Sequence, residues 1–155
     1  MLMERKGEFD GVLAFSEGAS LAAALITRYT RENPFDSQGL FRFAIFACGL
    51  VHFNHASLND NPGENLKLGS NPERVKSDIC LLTGSYLINI PTFHLLGRND
   101  GYFEYGMALY QCCDPQVALK VVHNGGHQIP NHPVELVDEI VRMSRATIMR
   151  AEFRC

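Results

Sequence analysis

Ser16, Asp100 and His127 have residue types and neighbours suited to acyl transfer. Serine offers a nucleophilic hydroxyl and histidine a base that works near neutral pH. Aspartate offers a carboxylate able to hold an imidazole in one tautomer. Ser16 stands within Gly11-Val12-Leu13-Ala14-Phe15-Ser16-Glu17-Gly18-Ala19. An apolar, strand-like run enters the serine and a helix-like run leaves it. A sharp strand-to-helix turn exposes such a hydroxyl at the carboxyl edge of a sheet on strained backbone, the geometry of a G-x-S-x-G nucleophile elbow. Here the pattern is A-x-S-x-G, with Ala14 at the first glycine position.

The other two residues also follow apolar runs. Asp100 ends Leu96-Gly97-Arg98-Asn99-Asp100, and His127 ends His123-Asn124-Gly125-Gly126-His127. Each has an ordinary explanation by itself: a helix N-cap for Ser16, a turn residue for Asp100, a solvated loop histidine for His127. Together they fall just past three strand ends, where parallel α/β sheets gather functional groups. The chain order Ser…Asp…His is the one that goes with an elbow serine. In this arrangement Asp100 orients the imidazole, His127 takes the Ser16 proton, and Ser16 Oγ attacks an acyl carbon. The Glu17 backbone N–H, opening the next helix, serves as one oxyanion donor. His123 is the alternative base, while His52, His55, His94 and His132 read as surface or core residues. No histidine and carboxylate spacing suggests a metal site, and no G-x-G-x-x-G or G-x-x-x-x-G-K-[ST] loop suggests a nucleotide. No cofactor is expected.

The elements that must position these residues alternate. Strands are expected over Phe9–Phe15, Phe41–Ala47, Thr92–Leu96 (closing on Gly97) and Val117–Val122. Helices are expected over Glu17–Arg31, Tyr102–Cys112 and Pro133–Arg150, with a short one over Pro72–Ser77. The first helix is expected to bury Leu21, Ala24 and Leu25, with Ala22 and Ile26 beside them. The last is expected to bury Val134, Val137, Ile140, Val141 and Ile148. Residues 54–72, rich in Asn, Gly and Pro, read as a loop. Apolar strands alternating with helices imply a parallel sheet with right-handed crossovers.

The bulk numbers fit one domain over residues 1–155 with a true core. The net charge of −3 makes no electrostatic case for nucleic acid or an anionic membrane. No apolar run approaches the roughly 20 residues that span a bilayer. The first residues, Met-Leu-Met-Glu-Arg-Lys, lack the apolar centre of a signal peptide. Five cysteines at irregular spacings, two of them adjacent at 112 and 113, fit reduced thiols packed in a core.

The segments Phe9–Ala19, Pro91–Asp100 and Gly125–Pro130 together resemble the fungal serine hydrolase (FSH) family of the α/β-hydrolase superfamily. The resemblance covers almost the whole chain. It implies a cofactor-free serine hydrolase that cleaves a small-molecule carboxylic ester or thioester, including acyl groups on a carrier. It also implies fungal secondary metabolism and a cytoplasmic location, with the nucleus left open. In the family, the first strands of the sheet and a His-Gly segment giving a second oxyanion donor precede the elbow. Here the elbow serine is residue 16. The expected fold is therefore α/β, a partial α/β-hydrolase fold of about four mainly parallel strands flanked by helices, with the N-terminal strands missing. The Phe9–Phe15 strand then becomes an edge, a hazard for self-association. Losing one oxyanion donor costs about 10²–10³ in rate. The alternative function is accordingly a catalytically impaired remnant acting as a binding module.

Overall fold

The computed structural model describes residues 9–37, 39–50 and 88–153. Four strands form one parallel sheet in the order β1-β2-β3-β4: β1 Gly11–Phe15, β2 Phe43–Ala47, β3 Thr92–Gly97 and β4 Ala118–His123. Three helices accompany them: α1 Glu17–Glu32, α2 Phe103–Gln111 and α3 Val134–Glu152. Each matches an expected element to within one or two residues at either end. The expected loop at 54–72 and helix at Pro72–Ser77 lie outside the described residues.

Side-chain alternation divides the core between the two faces of the sheet. On one face Ala14, Ala44 and Phe46 pack with Ala19, Ala22, Ala23 and Ile26 of α1 and with Leu109 of α2. On the other, Ile45, Ala47, Phe93, Leu95 and Val121 pack with Leu136, Ile140 and Met143 of α3. Every residue of β3 is buried, as suits a central parallel strand covered on both faces. Burying a side chain such as Phe93 or Leu95 stabilises the fold by roughly 1.5–3 kcal/mol.

Both helix faces differ from those expected. In α1 the buried residues are Ala19, Ala22, Ala23, Ile26 and Thr27, whereas Leu21 is 63% exposed and Leu25 is also exposed. The small alanines let the helix axis approach the sheet closely. The two leucines, one turn apart, form a separate outward stripe. In α3, Val134 and Val141 are exposed, and the stripe facing the sheet runs through Leu136, Ile140, Met143, Thr147 and Ala151. Hydrophobicity alone overrated the valines, while the register that packs also buries Thr147, whose hydroxyl donates back to the Met143 carbonyl at 2.9 Å.

Among the described residues, β1 pairs only with β2 and forms one edge of the sheet. Leu13 and Phe15, in register with Ile45 and Ala47, lie on the α3 face of the sheet and are exposed.

Candidate functional site

The carboxyl ends of the four strands are laced together beyond the strands themselves. The Ser16 N–H donates to the Ala47 carbonyl at 3.0 Å, the Cys48 N–H to Leu95 at 2.8 Å, and the Arg98 N–H to His123 at 2.8 Å. The ladder thus carries each strand's register into the residue that follows it. Ser16 sits at φ 55°, ψ −123°, a conformation in which a β-carbon is strained. Its neighbour Cys48 also has positive φ, at 48°. Although Ser16 occupies the N-cap position of α1, its side chain makes no capping hydrogen bond.

The Ser16 hydroxyl instead lies 2.8 Å from His127 Nε2, and His127 Nδ1 lies 2.7 Å from Asp100 Oδ2. The Asp100 side chain is 4% exposed and that of His127 31%, so the chain of hydrogen bonds runs from interior to surface. The other carboxylate oxygen, Oδ1, accepts the Tyr102 backbone N–H at 2.9 Å. This bond orients the carboxylate, so Asp100 is both a turn residue and the partner of His127. With Nδ1 donating to Asp100, Nε2 is left to accept the serine proton. The structure therefore brings Ser16, Asp100 and His127 together and leaves His123, the alternative base, buried behind them. Glu17 begins α1, and the first N–H groups of a helix have no intrahelical partner. That leaves its N–H suited to an oxyanion.

Close backbone packing brings the acid and base loops into contact. Gly97, the last residue of β3, lies so near the Gly125 and Gly126 carbonyls that a β-carbon there would overlap both. The Asn99 N–H donates to Gly125 at 3.0 Å, and the Asn99 side-chain amide donates to the Asn124 carbonyl at 2.5 Å. Two aromatic rings flank the imidazole: Phe15, tilted, at 5.2 Å and Tyr102, edge-on, at 5.6 Å between centroids. Such pairs contribute about 0.5–1.5 kcal/mol beyond their buried area. Sequence reasoning did not single out Tyr102; its position two residues beyond Asp100 was the available signal.

Cys48 is the other residue the sequence did not flag. One donor atom each from Cys48, Asp100 and His127 lie within 4.8 Å of one another, the one such group among the described residues. Burial, with the Asp100 charge adding to it, pushes the thiol up to about 11. It is therefore protonated at neutral pH and a poor metal ligand or nucleophile. It lies 3.5 Å from the Gln128 carbonyl, to which it donates.

Away from the site, His94 is fully buried beside Thr92 Oγ1 at 3.2 Å and Cys113 Sγ at 3.5 Å. Burial, with Lys120 adding to it, pushes its pKa down to about 3, so it is a neutral core residue. Cys48, Cys112 and Cys113 are buried, as expected for core thiols. His132 is exposed, while His52, His55, Cys80 and Cys155 lie outside the described residues. No helix among the described residues is long and apolar enough to cross a membrane.

Several known proteins resemble this chain. Esterase FPY3 of Fusarium mangiferae is 34% identical over 146 residues, covering 94% of this chain and 60% of the relative. Hydrolase phiM of Talaromyces stipitatus is 32% identical over 144 residues, covering 90% and 50%. The chain thus spans half to three-fifths of the length of these two relatives. A carboxylesterase from Bacillus cereus superposes with a TM-score of 0.50 at 18% identity, over 92% of this chain and 53% of that one. A monoacylglycerol lipase from Paleococcus ferrophilus gives 0.54 at 12% identity, over 96% and 72%. At such identities these two show the fold alone, that of part of an α/β-hydrolase. The family profile described as "Serine hydrolase (FSH1)" matches residues 1–137. With that match spanning most of the sequence, the chain belongs to the FSH1 serine hydrolase family.

Proposed function

We propose that this chain is the part of a single α/β-hydrolase-type unit, over residues 1–155, that holds the catalytic residues of an esterase or thioesterase. Its substrate is a small-molecule carboxylic ester or thioester, including an acyl group on a carrier, in fungal secondary metabolism in the cytoplasm. Ser16 Oγ attacks the acyl carbon while its proton passes to His127 Nε2. Asp100 holds the imidazole and stabilises the imidazolium. The Glu17 N–H donates to the oxyanion. The alcohol or thiol leaves with the proton from His127, and water then repeats the sequence to release the acid and free Ser16. The observation that carries this reading is the unbroken set of contacts from Ser16 through His127 to Asp100, at 2.8 and 2.7 Å. Family membership and the esterase names of relatives support it.

Treatment of the folded chain with a fluorophosphonate probe, followed by digestion and mass spectrometry, tests the reading. The expected label is on Ser16, absent in Ser16→Ala and reduced in His127→Ala. A folded, monodisperse sample that takes no label overturns it.

One observation favours a second reading, a binding module without turnover. The strand leading to Ser16 is a sheet edge among the described residues, with Leu13 68% exposed. Such an edge offers unpaired backbone groups for self-association. Absence of label together with concentration-dependent association is the result expected of this alternative.

A further inference from the structure

We propose that His123 is a positioning residue whose imidazole Nδ1 sets the turn that carries His127. The inference rests on the reading of Ser16, His127 and Asp100 as the catalytic group. His123 ends β4, in register with Gly97 at the end of β3. It touches both loops of the site. Its carbonyl accepts the Arg98 N–H at 2.8 Å, at the start of the loop leading to Asp100. Its ring Nδ1 accepts the Gly125 N–H at 3.0 Å, in the turn leading to His127. The ring packs so tightly that a β-carbon on Gly125 would stand 2.8 Å from that nitrogen. Further on, the Gln128 N–H closes on the Gly126 carbonyl at 2.9 Å. His127 therefore stands on a turn whose entry is held by one imidazole nitrogen.

The tautomer follows from this bond. Since Nδ1 accepts, the proton of the neutral ring is on Nε2. That Nε2 is buried and has no hydrogen-bond partner among the described residues, and His123 as a whole is 5% exposed. A buried donor without a partner is unfavourable, and an apolar residue would fill the end of a strand without that penalty. The penalty makes sense if the acceptor at Nδ1 is what the position requires. Burial pushes the His123 pKa down, with the Asp100 charge and the nearby Gln128 backbone opposing, which favours the neutral ring and leaves Nδ1 free to accept.

Three variants of the full chain test this. Asparagine carries an acceptor where Nδ1 stands, glutamine carries one nearer Nε2, and leucine carries none. With a chromogenic ester as probe, His123→Leu and His123→Gln are expected to lose about 10–100-fold in kcat with KM within twofold, since a misplacement near 1 Å has effects of that size. His123→Asn is expected to stay within about threefold of wild type, on the same geometric ground. Retained kcat in His123→Leu, or His123→Asn as slow as His123→Gln, overturns the inference. The low-field proton magnetic resonance of His127 Nδ1–H, assigned by its loss in His127→Gln, gives a readout that needs no turnover. It is expected in wild type and His123→Asn and is expected to broaden or disappear in His123→Gln. An inactive wild type counts against the proposed function alone, and the same resonance still decides the role of His123: its persistence unchanged in His123→Gln overturns it.

Discussion

The α-carbon of Gly97 faces the carbonyl oxygen of Gly126 so closely that no side chain fits between them. Gly97 opens the loop to Asp100 and Gly126 precedes His127, so this backbone contact helps set the distance between acid and base. Gly97→Ala forces backbone, not a flexible side chain, to move. We expect about 1–3 kcal/mol of lost stability from overpacking. A fall of about 10²-fold in kcat is also expected, because the His127 turn is displaced. Urea unfolding beside ester hydrolysis checks both, and equal activity in a folded variant argues against the coupling.

Backbone strain at Ser16 makes a second prediction. At φ 55° a β-carbon is strained and glycine is not. Strain of this kind costs of order 1–3 kcal/mol, offset by roughly 0.5–1 kcal/mol of extra chain entropy for glycine. Ser16→Gly is therefore expected to be more stable than Ser16→Ala by about 0.5–2 kcal/mol, with both inert to the fluorophosphonate. Chemical denaturation of the pair measures the difference directly. The opposite order of stabilities contradicts stored strain.

Acid sensitivity should come partly from His94. Its folded pKa of about 3 lies below the ordinary value of 6.5. Between those values the unfolded chain takes a proton that the folded chain refuses. Its contribution to stability is complete above about pH 6.5 and falls as the pH drops toward 3, with a limiting slope of about 1.4 kcal/mol per pH unit. His123, shifted in the same direction, adds to the effect. A His94→Phe variant is expected to lose stability near pH 7 through the gap at Thr92 Oγ1, yet to show a flatter decline below pH 6.5. Unfolding free energies at several acid pH values report the slope, and parallel curves count against His94.

Leu13 tests the edge. A lysine there meets solvent in the monomer, so the unfolding midpoint should stay within the ±0.5 kcal/mol typical of surface changes. The same charge discourages strand-to-strand pairing. Light scattering over a concentration series is expected to show association of wild type and less of Leu13→Lys. A wild type that stays monomeric throughout removes edge pairing.

Much of this was legible without a structure. The alternation of apolar runs with amphipathic ones marked every described strand and helix, because the parallel sheet buries its strands on both faces. The same pattern put Ser16, Asp100 and His127 just beyond strand ends. Periodicity misjudged which way α1 and α3 face. Leu21, Leu25, Val134 and Val141 are apolar, but the close fit of Ala19, Ala22 and Ala23 to the sheet, and of Thr147 and Ala151 on the other side, decided the rotation.

The sequence by itself determined the residue types, their order and the turns that carry them, since these follow from local pattern and chain direction. The tertiary structure supplied the reason that His127, favoured by sequence, rather than His123 meets Ser16: His123 is buried at the end of its strand, while the Gly125-Gly126 turn brings His127 back over the strand ends. It also decided the company of Cys48, Phe15 and Tyr102 around the imidazole and the contact of Gly97 with Gly126. Those relationships join residues far apart in the chain, and their distances depend on how two faces of side chains pack against one sheet.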